Sequence, residues 1–254
     1  TEQENIAGRI SGVGMVFPGV VNSDELLIKY APNINIRNFS LRQFEEKLHL
    51  RLYIENEAIA AAKAERFLFP ESAHDNCVYV SIAEGIGTGI LINGSIYKGS
   101  SQNAGEFGHN IISDNGLKCK CGRHDCWELY ASSTALVNYY RRFAIAPDDD
   151  SLALNALQID YKKNLPPAVK AVEEFTRYLF RGLETIMVSL NPDEVVIGGD
   201  LGTFIRDIID YGLNELKLNR NFRGYENISV RASRFDENGA VRGSALLPLY
   251  EYFE

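Results

Sequence analysis

Three of the four cysteines and two of the four histidines of this chain fall in residues 105–132, "GEFGHNIISDNGLKCKCGRHDCWELYAS". His109, Cys119, Cys121 and Cys126 read H-x9-C-x-C-x4-C. Zinc favours four soft or borderline donors in a tetrahedron, and Cys3His is a common closed, structural set. Gly116 and Gly122 let the backbone turn tightly around an ion. The pattern predicts a structural Zn²⁺ loop over residues 105–128. The competing reading is a disulfide or free thiols, but a Cys-x-Cys pair is poorly placed to bridge to itself. His124 is expected to face solvent, and Cys77 to be a core cysteine of a strand. Glu106 and Glu128 bracket the cluster. A lone Glu is ordinarily a solvated surface group, but one held rigidly beside a metal becomes a candidate for ligand contact.

The elements that must position these groups belong to a chain of 254 residues, 45% hydrophobic, with net charge −8. That length allows one large domain or two smaller ones. The acidic balance argues against a nucleic-acid surface on these residues. No apolar run reaches membrane-spanning length, and "TEQENIAGRISG" lacks the succession of a signal peptide. The expected setting is cytoplasmic. "GRISGVGMVFPGVV" reads as a buried strand, near residues 10–16, and a Pro-Gly turn; a domain opening directly on such a strand looks truncated.

Residues 22–38 read as irregular. "SLRQFEEKLHL" reads as a helix, with Ser40 and Gln43 as a capping box and Phe44 and Leu48 at helical spacing. "RLYIEN" is a short strand and "EAIAAAKAERFLF" an Ala-rich helix ending before Pro70. Two β-rich runs flank a glycine turn at residues 85–89, and Asn93-Gly94 signals a hairpin. A helix follows from about Trp127, "PDDDS" is a turn, and residues 166–190 repeat apolar positions at helical spacing. "EVVIGGDLG" is a buried strand. A helix from about Phe204, the strand "ISVRAS" and a helix over residues 243–253 complete an alternating α/β pattern. The composition shift at residues 72–76 marks an expected boundary between two lobes.

"GIGTGILINGSIYKGSSQNAGEFGH" followed by "CKCGRHDCWE" resembles the signature of the ROK family of repressors, open reading frames and sugar kinases. Asp125 stands where the second glycine of the family's C-x-C-G-x-x-G-C-x-E pattern falls. "VFPGVV", "ENEAIAAAKAE", "LNPDEVVIGGDLG" and "GAVRGSALLPL" fit in order along nearly the whole chain. The resemblance implies a two-lobed actin-like, hexokinase-like α/β fold with its first lobe truncated. Residues 1–76, completed by a C-terminal helix over 240–254, would form that lobe, and residues 77–239 the second. It implies zinc on His109, Cys119, Cys121 and Cys126, and sugar contacts from Asn56, Glu57, Glu106, His109 and Glu128. Gly85, Gly87, Thr88 and Gly89 correspond to a phosphate-cradling turn in kinase members, and Gly198 and Gly199 to a nucleotide-contacting turn. For both runs, turn geometry alone is the alternative reading.

Within the family, kinases carry Asp as general base where this chain has Glu57. An extra methylene moves that carboxylate by roughly 1.5 Å, and misplacement of about 1 Å can cost on the order of 100-fold in rate. No D-x-G-x-T turn for ATP phosphates precedes Gly8. "ENEAIAAA" and "CWELYAS" look more like the xylose-repressor branch, whose DNA-binding helix-turn-helix would lie ahead of Thr1. The expectation is a sugar-sensing effector domain of a repressor, with D-xylose as the first ligand and glucose the second. Its operator DNA would be bound by that absent segment, and its assembly would be a homodimer or tetramer. The alternative is an ATP- and Mg²⁺-dependent sugar kinase with Glu57 as base. A third reading is a degenerate member that binds zinc and assembles but takes no sugar.

Overall fold

The structure, a computed structural model, describes residues 10–218, 227–235 and 238–250. Strand β1 (Val13–Phe17) runs parallel to β5 (Leu52–Asn56), with Val13 opposite Leu52 and Phe17 opposite Asn56. Between them, β2 (Val20–Asn22), β3 (Leu27–Ala31) and β4 (Ile36–Ser40) form an antiparallel meander. Residues 22–38, expected to be irregular, therefore hold most of a sheet. Left-handed Asn35 and Asn38 and the 3₁₀ turn Pro32–Ile34 interrupt its alternation. Its core joins Val21, Leu26, Ile28, Ala31, Leu41, Leu52 and Ile54.

Helix α1 (Arg42–Leu48) starts without the expected capping box. Ser40 ends β4, and its hydroxyl accepts only a long bond, 3.4 Å, from the Arg42 amide. Phe44 and Leu48 lie exposed rather than in a core. Helix α2 (Glu57–Leu68) follows β5 without a loop, because the side-chain oxygen of Asn56 caps it, accepting from the backbone amides of Ala58 and Ile59.

A third, five-stranded sheet has the order β10-β9-β6-β7-β8. In it β6 (Cys77–Ile82), β9 (Glu194–Gly199) and β10 (Ser229–Ala232) run parallel. Strands β7 (Ile86–Ile92) and β8 (Ser95–Ile96) run antiparallel across a hairpin at Asn93 and Gly94, both at positive φ. The glycine turn expected at residues 85–89 is shorter than that: residues 83–85 bend, and Gly87 and Gly89 lie inside β7.

Helices α3 (Glu128–Ala131), α4 (Ser133–Phe143), α5 (Asp150–Lys162), α6 (Pro166–Leu190) and α7 (Phe204–Leu218) accompany this sheet. The single helix expected from Trp127 is broken at Ser132, whose hydroxyl caps α4 through the Ala135 amide. Helix α5 was not anticipated; Asp149, within the expected turn, caps it through the Leu152 amide at 2.9 Å. The main core gathers Val78, Val80 and Ile82 with Trp127, Leu136, Phe175, Leu179 and Leu183. Helix α8 (Gly239–Tyr250) starts earlier than expected, and residues 251–253 of the expected helix lie outside the described residues.

Helix α2 packs on β6 and β7 on one side and on α8 on another, and α8 also lies against β1 and β5. Small residues make this possible. A Cβ on Gly243 would sit 2.3 Å from the Ala60 carbonyl oxygen, and one on Gly89 would sit 2.7 Å from that of Ala58. At the far end of α2, buried Glu65 bonds Arg231 of β10 at 2.6 Å, and Arg231 grips buried Glu194 of β9 with two nitrogens, at 2.8 and 2.9 Å. A helix capped by Asn56 is thereby fixed to the five-stranded sheet. Among the described residues no helix is long and apolar enough to cross a membrane.

Candidate metal centre and the adjoining cleft

One donor atom from each of His109, Cys119, Cys121 and Cys126 lies within 4.8 Å of the others. Two sulfurs, Cys121 and Cys126, are 3.6 Å apart, well beyond a disulfide bond of about 2.05 Å, and all four cysteines are free thiols. Three thiols and an imidazole facing a common point fit a tetrahedral metal ion. Burial raises both the Cys119 and Cys126 thiols, the latter to about 11, so an ion that needs thiolates must displace their protons.

The loop is built for this presentation. The 3₁₀ turn Phe107–His109 aims the imidazole. Isolated bridges pair Ile111 with Cys126 and Lys118 with His124. The Gly122 amide donates to the Cys119 carbonyl at 3.0 Å, closing the turn that carries Cys121. Gly116 and Gly122 have φ of 79° and 94° with nothing near a would-be Cβ, so backbone conformation alone explains them. His124 is exposed, as expected. Cys77 is only half-buried in β6, its thiol pushed up to about 12 by burial and then by Glu194.

Trp127, read from the sequence only as a helix start, and Asp125, read only as a departure from the family's glycine, anchor the loop. The Trp127 indole is fully buried, donates to the Tyr178 carbonyl at 3.0 Å, and seats against Gly182 of α6, where a Cβ would come within 1.9 Å of the ring. Asp125, at φ 58°, points its carboxylate inward to the Gly116 amide at 2.9 Å, the Leu117 amide at 3.0 Å and the Tyr130 hydroxyl at 2.5 Å. These bonds, Tyr130 first, hold its carboxyl below the usual range.

Glu106, His109 and Glu128 form one cluster. His109 Nε2 is 3.6 Å from a Glu106 oxygen and Nδ1 is 3.4 Å from Glu128 Oε1, which also lies 2.9 Å from the Cys119 sulfur. Burial and the neighbouring Glu128 raise the Glu106 carboxyl, while His109 opposes them. Gly85 leaves room for the Glu128 carboxylate: a Cβ there would sit 2.7 Å from Oε2.

Asn56 and Glu57 stand at the carboxyl end of β5. The Asn56 amide donates to the Gly19 carbonyl at 2.8 Å while its oxygen caps α2, so one amide hydrogen is left for a ligand. Glu57 is raised by burial, then by Asp200 and Glu84, which follow the carboxyl ends of β9 and β6. Residues 84–88 neighbour both groups. Glu84 acts on Glu57, Gly85 abuts Glu128, and the Thr88 hydroxyl bonds the Gly105 carbonyl beside Glu106. Protein neighbours occupy the space around the remaining glycines. Gly87 faces Ala58, Gly198 faces the Tyr79 hydroxyl, and Gly199, at φ 113°, faces the backbone of Ile82.

Glu84 and Asp200 were also missed: Asp200 falls inside the stretch "EVVIGGDLG" read as a strand, and Glu84 lies two residues past the end of β6. So was Glu55, buried between the Asn56 amide and Lys98 Nζ, which it accepts at 3.1 and 2.8 Å. Lys98 comes from the loop after β8, so this pair joins the two sheets beside Asn56.

Comparison with known proteins places the molecule. The ROK family model matches residues 1–250. The xylose repressor of Bacillus subtilis is 36% identical over 187 residues, 73% of this chain and 47% of the repressor. The glucokinase of Streptomyces coelicolor is 30% identical over 239 residues, 87% of this chain and 75% of the enzyme. The chain spans about half the length of the xylose repressors of Bacillus that it matches. Among solved structures, a ROK family glucokinase from Streptomyces griseus in complex with glucose and AMPPNP superposes with a TM-score of 0.83 at 26% identity, covering 94% of this chain and 82% of that one. A ROK family transcriptional regulator, a homologue of the E. coli MLC protein, shares the fold with a TM-score of 0.80 at 24% identity, covering 98% of this chain and 65% of that one.

Proposed function

Since the chain belongs to the ROK family, whose relatives here are both xylose repressors and sugar kinases, we propose that it is the sugar-binding effector domain of a transcriptional repressor. The observation that carries the reading is the cluster in which Glu106 and Glu128 both reach His109, itself one of the four metal donors. Adjacent sugar hydroxyls present donors and acceptors side by side, and two carboxylates, an imidazole and the remaining Asn56 hydrogen complement them. A Zn²⁺ ion on His109, Cys119, Cys121 and Cys126 would fix the loop that carries these groups; its contribution is structural.

Glu57 serves in this reading as a further hydroxyl acceptor. Sugar binds one arrangement of the two lobes better than the other and shifts their population by that difference in affinity. The first lobe comprises residues 1–76 with α8 laid against it, the second residues 77–239. The shift releases operator DNA, held by a helix-turn-helix outside these residues, from a dimer or tetramer in the cytoplasm. D-xylose is the first ligand to try and glucose the second.

Identity of 30% to a glucokinase over most of the chain favours a second reading, an ATP-dependent sugar kinase with Glu57 as general base. Against it, protein packing already accounts for glycine at positions 87, 89, 198 and 199. Calorimetric titration with xylose and glucose, run beside an ATP-turnover assay, separates the readings. Saturable sugar binding without turnover supports the sensor. Sugar-dependent turnover that Glu57→Gln abolishes would establish the kinase. Cys121→Ser should release the loop and abolish sugar binding; a zinc-free variant with normal sugar affinity would remove the metal from the proposal.

A further inference from the structure

The family pattern puts glycine where this chain has Asp125, and the φ of 58° there explains the preference. Asp is among the few other residues that enter this region at modest cost. The side chain is not idle. It is 5% exposed, and its two oxygens take the amides of Gly116 and Leu117 from the arm that leads into Cys119, together with the hydroxyl of Tyr130 on α3. Its backbone adds two further links to the same arm, from its amide to the Leu117 carbonyl at 2.8 Å and from the Ile112 amide to its own carbonyl at 3.1 Å. Tyr130 is in turn fixed, its ring 4.6 Å from that of Tyr178 and its carbonyl accepting from the Tyr139 hydroxyl at 3.0 Å. The arm before Cys119, the residue before Cys126 and the helix behind them are thus fastened at one carboxylate. A glycine would permit the same backbone and supply none of the side-chain bonds.

We propose that Asp125 is a positioning residue for the metal site, clasping both arms of the loop so that Cys119 and Cys126 are held in ligating register by the protein as well as by the ion. The inference rests on the reading of the loop as a metal site. Its consequence is kinetic. An ion leaves such a site through partly opened loop conformations, and a clasp makes them rarer. A glycine in its place leaves the four ligands intact but lets the arms part.

The test is zinc release from the full chain to an excess of a coloured chelator, with zinc content measured beforehand. Asp125→Gly should release zinc at least 10-fold faster than the wild type. Asp125→Asn keeps an acceptor for Leu117 or Tyr130 but presents an amide to the Gly116 N–H, and should fall between them. Tyr130→Phe removes one of the three side-chain bonds and should give a smaller acceleration. A residue that merely stabilised the fold would lower the melting temperature of Asp125→Gly and leave release unchanged. Equal release from zinc-loaded wild type and Asp125→Gly overturns this proposal alone. A wild-type protein that takes up no zinc overturns the metal reading and this proposal together.

Discussion

At the scale of single residues, Asn56 shows how one side chain can be occupied twice. Its oxygen caps α2 and its amide ties β5 to Gly19, so it is structural before it meets any sugar. Asn56→Ala should cost about 1–2 kcal/mol, roughly 2–8 °C in Tm. Asn56→Ser keeps a cap and should recover most of that loss in a thermal melt while still binding sugar poorly. Glu57 is raised by burial and by Asp200 and Glu84. An acid whose folded pKa lies above its unfolded value favours the fold while protonated and loses that advantage as pH rises through the folded value. Glu57→Gln should therefore stabilise the protein at neutral pH, with the gain vanishing below about pH 4, where Glu is protonated in both states; melts of both proteins across pH 3–8 check the sign. That His109, Cys119, Cys121 and Cys126 gather with Glu106 and Glu128 was legible from spacing because one short loop holds them all. Glu84 and Asp200 could not, because only strand pairing brings them beside Glu57, and Glu55, though next to Asn56 in the chain, gains its role from Lys98 of a distant loop.

At the scale of elements, α2 decides how the cleft is held. Its alanines allow β7 and α8 to approach to backbone contact, and the Glu65–Arg231–Glu194 group locks its far end to β9 and β10. Gly243→Ala would push a methyl against the Ala60 carbonyl, a backbone atom that cannot swing away, and should destabilise by about 1–3 kcal/mol in urea melts. Arg231→Met leaves two buried carboxylates without their cation and should cost about 3–5 kcal/mol. The long helix, the Ala-rich helix and the Asn-Gly hairpin were legible because each carries a strong local signal. The meander at residues 20–40 was not, since its strands are short and half-exposed, its first turn puts Leu26 at positive φ, and Asn38 takes positive φ inside β4. Gly87 and Gly89 illustrate the same limit. A glycine run reads as a turn, but here glycine serves the close approach of a helix to a strand, which no local pattern announces.

At the scale of the whole molecule, the proposed sugar and the candidate metal would act on one equilibrium. A sugar that binds only the folded state stabilises it by about 2.7 kcal/mol at 100 times its Kd. Xylose or glucose, whichever is the ligand, should raise Tm in proportion to the logarithm of its concentration, and chelation should reduce that response. The α/β class was readable from the alternation of elements, whereas the approach of α8 to β1 and β5 was expected from the family resemblance alone, since no local pattern announces it. One feature of the loop makes these events visible without a label. The chain has a single tryptophan, and it stands between a metal donor, Cys126, and the candidate sugar carboxylate Glu128, sealed from water against Gly182. All of the protein's indole emission comes from that place. It should be blue-shifted and resistant to acrylamide in the intact protein and should move to the red when the loop opens. On the proposed reading this one indole is an optical gauge set between metal and ligand, and a fluorimeter alone would follow both.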